Sequence, residues 1–283
     1  MFVIIGVIVV FGAIIGGYLM EKGNLHVLFQ PAELVIIGGA AFGSMLIMVP
    51  QKLLFKIFKS IPSVLGGSKY SKGSYIELLG LLYELFSKIR KEGLLTIEKD
   101  IESPKASALF KKYPKILANH HAIDFLCDNM RAFVVGIKPM ELEDMMTLEL
   151  ETHHSEAVAV PAVITKVGDS LPGFGIVAAV MGVVITMGYM AEPPEVIGHH
   201  VAAALVGTFL GILLCYGLVG PIGTHLEHKA NEDAKYLEAI KFALIAFAKE
   251  MPPQMAVEFA RRALLEDAKP SFKELEDAVR KKK

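Results

Sequence analysis

Leu171-Pro172-Gly173-Phe174-Gly175-Ile176-Val177-Ala178-Ala179-Val180-Met181-Gly182-Val183-Val184-Ile185-Thr186-Met187-Gly188-Tyr189-Met190-Ala191 carries no charged side chain from end to end. Crossing a hydrocarbon core of about 30 Å takes roughly 20 helical residues, and this run is of that length. Three more apolar runs stand in the chain: Phe2–Met20, Leu34–Val49 and Val201–Ile222. Backbone N–H and C=O groups in lipid must pair within their own segment, so such runs are read as helices. The fold class that follows is an all-α integral membrane protein with four transmembrane helices, near residues 2–20, 33–50, 171–191 and 200–222. The first two runs are joined only by Glu21 to Glu33, and the last two by a short link containing Glu192-Pro193-Pro194-Glu195. Each pair therefore reads as a hairpin.

The positions of the lysines set the orientation. Lys52, Lys56, Lys59, Lys69 and Lys72 follow the second run and Lys229 and Lys235 follow the fourth, whereas the two links hold only Lys22. Basic residues collect on the cytoplasmic side, which puts both termini and the large middle segment there. The expected domains are a first hairpin over 1–50, a helical cytoplasmic loop over 51–169, a second hairpin over 170–224 and helical cytoplasmic tail residues 225–283. The first run lacks a basic start and a small-residue cleavage site, so it reads as a retained helix rather than a signal peptide. With 2 cysteines, Cys127 and Cys215, neither a disulfide framework nor a cysteine metal site is expected. A net charge of −1 and the lack of a basic patch with interleaved aromatics give no reason to invoke nucleic acid.

None of the four runs holds a side chain that could carry a proton, so if the chain conducts ions the carrier is expected on another protein. Glu33, just ahead of the second run, is read as a first-turn helix acid rather than an ion-path group. Small residues recur at helical spacing: Gly12 and Gly16, Gly39 and Gly43, Gly207 and Gly211, with Gly175, Ala178, Ala179 and Gly182 along the third run. Such spacings let helices approach closely in lipid, either within the chain or between copies.

The middle segment is expected to be helical throughout. Ile76, Leu79, Tyr83, Phe86 and Ile89 repeat at 3-4 spacing, as do Ile116, Ile123, Leu126, Met130 and Phe133 between Pro114 and Gly136, which predicts helices with one face to bury. Pro139 suits a helix start, with Glu141, Glu143 and Asp144 in the first turns, and that helix can run on through Glu149 and Glu151 towards the membrane. Further helices are expected over Asn231–Lys249 and Gln254–Asp267, and Ser271 with Glu274 forms a capping box for a last one.

Charges gather at Arg90-Lys91-Glu92 and Glu98-Lys99-Asp100-Ile101-Glu102. They read as a solvated face or as a docking surface, on which ion pairs set orientation and on-rate. His120-His121, His153-His154 and His199-His200 are adjacent pairs that point apart on a helix. Only His225 and His228 could share a metal, and with no third ligand in view no metal or cofactor is expected. There is no nucleophile elbow, P-loop or zincin motif, so the chain is not read as an enzyme.

At the inner mouth of the third run stands Val167-Gly168-Asp169-Ser170-Leu171-Pro172-Gly173, and the fourth run ends on Gly220-Pro221. Asp169 makes that mouth polar, and Pro172 is expected to break or kink its helix. Two prolines at one level on paired helices read as a hinge, or as two span ends.

Through these residues the chain resembles the MotA family of flagellar motor stator subunits. The resemblance is carried by Gly16-Gly17-Tyr18-Leu19-Met20, by Gln30-Pro31-Ala32-Glu33-Leu34-Val35-Ile36-Ile37, by residues 168–184, by Val206-Gly207-Thr208-Phe209-Leu210-Gly211-Ile212-Leu213-Leu214, and by Ala256-Val257-Glu258-Phe259 with Pro270-Ser271-Phe272. It implies a ring of five subunits around a dimer of MotB, a single-span partner anchored to peptidoglycan in the bacterial inner membrane. The partner's membrane aspartate takes up the ion, and the ring drives the rotor protein FliG. Pro172 and Pro221 match the family's coupling positions, beside which Asp169 is taken as the polar group of the mouth, and Arg90 and Glu98 match the rotor contacts.

Sodium-driven relatives tend to place a threonine where this chain has Ala179, and a methyl offers no oxygen to a dehydrated cation, so the coupling ion is read as the proton with sodium as the alternative. Thr208 is a candidate lining hydroxyl, or a side chain bonded to its own backbone. The rivals are an energising subunit of the TolQ/ExbB type, which resembles a three-span plan, a secondary transporter, which would show broken or polar mid-membrane helices, and a membrane scaffold.

Overall fold

The structure is a computed structural model and describes residues 2–280. It consists of helices: α1 Phe2–Met20, α2 Leu25–Leu28, α3 Pro31–Met48, α4 Gln51–Ser60, α5 Lys72–Glu92, α6 Glu98–Glu102, α7 Ala108–Lys111, α8 Pro114–Leu117, α9 His120–Val135, α10 Pro139–Met187, α11 Pro194–Leu214, α12 Gly220–Ala248, α13 Pro253–Arg262 and α14 Phe272–Arg280. No strand occurs among the described residues. Four helical stretches are long and apolar enough to span a bilayer. The described residues fall into two compact units, one of residues 2–67 with 157–228 and one of residues 68–156 with 229–280.

In the first unit α3 begins at Pro31, earlier than the apolar run suggests, because proline's fixed φ suits the first helical position and its missing N–H costs nothing there. Gln30 precedes it and donates from Nε2 to the Val27 carbonyl at 3.1 Å. Glu33 consequently lies inside the helix. All 19 residues of α1 keep at least part of their surface uncovered, and large apolar side chains such as Phe2, Ile8, Val35 and Ile47 are exposed, as lipid-facing residues are.

Two boundaries differ from the sequence reading. The expected break at Pro172 does not occur: α10 runs unbroken for 49 residues with Pro161 and Pro172 inside it. Neighbouring helices can tolerate a proline in a membrane helix by packing around it. Likewise the helix of the fourth apolar run does not stop at Ile222. It passes through a π turn at Cys215–Val219 into α12, which absorbs the separately expected helix at Asn231–Lys249. The π turn follows from Pro221. That residue offers no N–H to Gly217 and crowds its carbonyl, and the ladder accommodates this by letting the Gly220 N–H reach back to Cys215 O.

The second unit is built round α5. Leu78, Leu79, Leu81, Leu82, Leu85 and Phe86 are all fully buried, so this helix buries more than the single face its 3-4 spacing suggests. A helix apolar on several sides sits at the centre of a core. Around it lie Leu126 and Met130 of α9, Ile240 and Leu244 of α12, and Val257 of α13. Phe86 stacks on Phe247 with ring centroids 4.3 Å apart. The helix after α12 ends at Arg262, short of the expected Asp267, and a separate 3-10 turn covers Glu266–Ala268. The capping box at the start of α14 is present: Ser271 N donates to Glu274 Oε2 at 2.6 Å, and Glu274 N to Ser271 Oγ at 3.2 Å.

Candidate functional site

Glycine shapes the contact between α10 and the α11–α12 run in the first unit. A Cβ on Gly223 would meet Thr165 Oγ1 at 2.4 Å, one on Gly168 would meet Val219 Cγ1 at 3.3 Å and Gly220 N at 3.4 Å, and one on Gly182 would meet Ala204 Cβ at 2.6 Å. Between these, Gly175 faces Gly207 and Gly211 with equally little room. The antiparallel seam thus runs from Gly223 to Ala204 with backbone nearly on backbone, a close approach that in lipid supplies packing energy. The Gly207/Gly211 and Gly175/Ala178/Ala179/Gly182 motifs are used within the chain. At Gly12, Gly16, Gly39 and Gly43 an added methyl would meet nothing.

The sequence-chosen residues lie along this seam. Pro172 is half-buried on α10, four residues after Gly168, and the glycine it leaves without an i+4 donor is the one packed on Gly220, next to Pro221. The two prolines are therefore joined through Gly168 and Gly220. Leu171, beside Pro172, presents its carbonyl 2.6 Å from where a Gly211 Cβ would stand. Asp169 is exposed. Ala179 and Thr208 are half-buried, with Ala179 N 3.2 Å from the Cβ position of Gly207 and Thr208 Cα 3.3 Å from that of Gly175.

Glu33 stands in the first turn of α3, as the sequence suggests, but it is also buried. Its side chain is 8% exposed, and Oε2 is buried without a hydrogen-bond partner. That oxygen lies 2.5 Å from the Cβ position of Gly207, beside Ala178 and Ala179. Pro31 was the signal available: a proline at the first helical position places the acid two residues later inside the helix. The π turn was legible in principle from Gly217 and Gly220 preceding Pro221.

The second unit holds Arg90 and Glu98, both exposed. Arg90 stands in the last turn of α5 and donates from Nη2 to the Glu250 carbonyl at 2.7 Å, a cation on the frayed end of α12. Glu250 itself has φ 64°, in the left-handed region. After α5 the chain turns at Gly93, with φ 91°, and a 3-10 turn then buries Ile97 before Glu98 opens α6. An ion pair of Lys88 with Asp100 at 2.7 Å and a bond from Ser107 Oγ to Asp100 at 2.6 Å fix α6 in place. Both charges therefore project from a rigid support. Among the described residues no three His, Cys, Asp or Glu side chains converge as a metal site, and His121 instead meets His153 edge-on at 5.4 Å.

Known proteins resemble the chain along its whole length. Residues 4–93 match the family described as motility protein A N-terminal, and residues 117–239 match the MotA/TolQ/ExbB proton channel family. Motility protein A of Salmonella typhimurium and that of Escherichia coli are each 44% identical over 281 residues, 99% of this chain and 95% of theirs. Chemotaxis protein LafT of Vibrio parahaemolyticus is 34% identical over 96% of both chains. Among solved structures, the flagellar MotAB stator complex from Bacillus subtilis matches with a TM-score of 0.76 and 25% identity over 97% of this chain and 98% of that one. C. jejuni MotAB matches in fold with a TM-score of 0.78 and 20% identity, over 94% and 96%.

Proposed function

This chain belongs to the motility protein A family, within the MotA/TolQ/ExbB proton channel family, and we propose that it is the stator subunit of a bacterial flagellar motor, conducting protons with a MotB-like partner and passing torque to the rotor protein FliG. It is an inner-membrane protein and not an enzyme. The observation that carries the reading is the end-to-end match to motility proteins at 44% identity, which an energising subunit of the TolQ/ExbB type does not account for.

In the proposed cycle the partner spans the membrane beside the glycine seam. Ion passage changes how α10 packs on α11, and the prolines at Pro172 and Pro221, with Asp169 at the mouth, transmit the change along the helices that continue beyond the bilayer. Thr208 and Ala179 line the path. Arg90 and Glu98 meet charges of opposite sign on the rotor. Both termini are cytoplasmic, and five copies form a ring. The open faces at Gly12, Gly16, Gly39 and Gly43, where nothing in the chain fills the space of a methyl, support assembly with neighbours. A proton suits Ala179, whose methyl supplies no ligand for sodium.

The test is rotation of stator-deficient cells that express the chain with its single-span partner, while the proton and sodium gradients are collapsed separately. Rotation lost with the proton gradient alone is expected. Rotation that follows sodium would overturn the ion, and no rotation from a correctly inserted complex would overturn the stator reading.

A further inference from the structure

Among the described residues Glu33 is the one buried acid of the first unit, and beyond its place in the first turn of α3 its carboxylate makes no hydrogen bond through Oε2. It does not cap α3, since no side chain caps that helix. Its Oε2 is enclosed without a donor, and the space it fills exists because residue 207 is glycine. Among the described residues no charged side chain acts on it: the α10 and α11 segments against it carry no charged group from Leu171 to Met187 or from Val201 to Leu214, their hydroxyls being those of Thr186 and Thr208. The titratable groups nearest along the chain are Glu21, Lys22 and His26 before α3, Glu195, His199 and His200 at the start of α11, Cys215 just after α11, and Asp169 before the α10 segment.

An ionised carboxylate enclosed in this way is costly, by several kcal/mol even after relaxation. The site is therefore at rest only when something is bound to that oxygen. A sodium ion would need several oxygen ligands around it, whereas the Gly207 Cβ position, 2.5 Å from Oε2, is otherwise bordered by the Ala178 methyl and the Ala179 backbone nitrogen. A proton needs only the one oxygen. We propose that Glu33 is a proton-binding residue of the ion path, placed on this chain rather than on its partner and opposite the Ala179 position.

The proposal rests on the stator reading above and deepens it. With the termini in the cytoplasm, Glu33 stands in the outer half of the membrane, two residues into the helix that descends from the outer link. A proton entering from outside forms an O–H bond at Oε2. That bond breaks when the proton passes to the ionised membrane carboxylate of the partner, leaving the Glu33 carboxylate charged until the next proton arrives, so charge is conserved at each transfer. Gly207 has a part in this: without a side chain there, the carboxyl reaches through the seam between α10 and α11 rather than stopping at its surface.

The experiment uses the full complex in stator-deficient cells, with Glu33→Gln and Glu33→Asp compared to the unaltered chain across a series of external pH values. The glutamine is isosteric and cannot take up a proton. It is expected to insert and bind the partner, to lower rotation speed at least about tenfold, and to abolish the dependence of speed on external pH. The aspartate keeps a carboxyl withdrawn by one methylene and is expected to rotate with a shifted pH profile. A glutamine variant that rotates at full speed with an unchanged profile overturns the proposal. If that variant fails to assemble, an aspartate variant with an unaltered profile overturns it instead. Failure of the unaltered chain to rotate at all would count against the stator reading, so the two failures are distinguishable.

Discussion

Gly175 of α10 and Gly211 of α11 meet almost backbone to backbone: a Cβ on Gly211 would lie 3.0 Å from Gly175 Cα and 2.6 Å from Leu171 O, and one on Gly175 would lie 2.7 Å from Gly207 O. None of these atoms can yield, because each is part of a helical backbone. Gly211→Ala must therefore push α10 and α11 apart. Overpacking of this kind costs about 1–3 kcal/mol, and the loss should appear as a lower unfolding midpoint of the detergent-solubilised protein and weaker capture of the partner. Gly6→Ala is the control, since nothing stands within 4 Å of its Cβ position and alanine favours the helix. Equal behaviour of the two variants would show that the seam tolerates separation.

Pro172 leaves the Gly168 carbonyl without its helical donor, and Gly168 packs on Gly220 ahead of Pro221. Pro172→Ala restores a donor and stiffens α10 where the two helices touch. Membrane insertion and partner binding should persist while torque falls to background, read as tethered-cell rotation beside immunoblots of membrane fractions. Pro221→Ala should act in the same direction by removing the cause of the π turn. Swimming at normal speed by the Pro172 variant would rule out coupling through that residue.

The membrane spans were legible because lipid imposes one rule on composition: twenty apolar residues in a row have few other uses. What the run could not show was where a helix begins or ends once it leaves lipid. The helix expected from Pro139 towards the membrane is present but joins the third apolar run with no break at Pro172, and α12 continues past Ile222 into the helix expected from Asn231. Glu33 was legible as the first-turn acid of the second transmembrane helix, which it is, but its burial was not, because that depends on which glycine of another helix lies opposite it. The seam was legible as glycines at spacing four, but their partners were not, since pairing across two helices depends on register that neither sequence encodes alone. Arg90 and Glu98 were located through the resemblance to stator subunits. Their rigid support, the Lys88–Asp100 pair and buried Ile97, came only with the fold.

Charge reversal separates docking from simple solvation at the second unit's surface. Glu98→Lys alters an exposed side chain at the start of α6 and should leave folding unchanged to within about 0.5 kcal/mol. Arg90→Glu also removes the bond to the Glu250 carbonyl and places an anion at a helix C-terminus, which costs up to about 1 kcal/mol locally. Both should reduce motility on soft agar while stator complexes remain in the membrane. A matching reversal on the rotor should restore part of it, more fully for Glu98→Lys, whose effect is purely electrostatic. Motility indifferent to both changes would assign these charges to the solvated face.

Acid should weaken the second unit through Glu258. Its carboxylate takes hydrogen bonds from Arg261 Nε and Nη2, each at 2.7 Å, and from Arg262 Nε at 2.9 Å, and Arg261 also donates to the Pro270 carbonyl. Chiefly through Arg261, these bonds hold the Glu258 carboxyl down at about 2 against an ordinary value of 4.5, although burial opposes them. A folded-state value below the unfolded one means that the stabilisation is complete above about pH 4.5 and is lost as pH falls from there towards 2. Glu258→Gln should cost about 1–3 kcal/mol near neutrality, and the gap from the unaltered chain should close through that acid window. Cys127 gives the readout. It is buried in this unit, and burial raises its thiol to about 12, so it reacts with a maleimide only when the unit opens. In a Cys215→Ser background, alkylation of the glutamine variant should be faster at neutral pH and should converge with the control in acid. Two curves that stay parallel across the whole range would show that Glu258 does not carry the acid sensitivity.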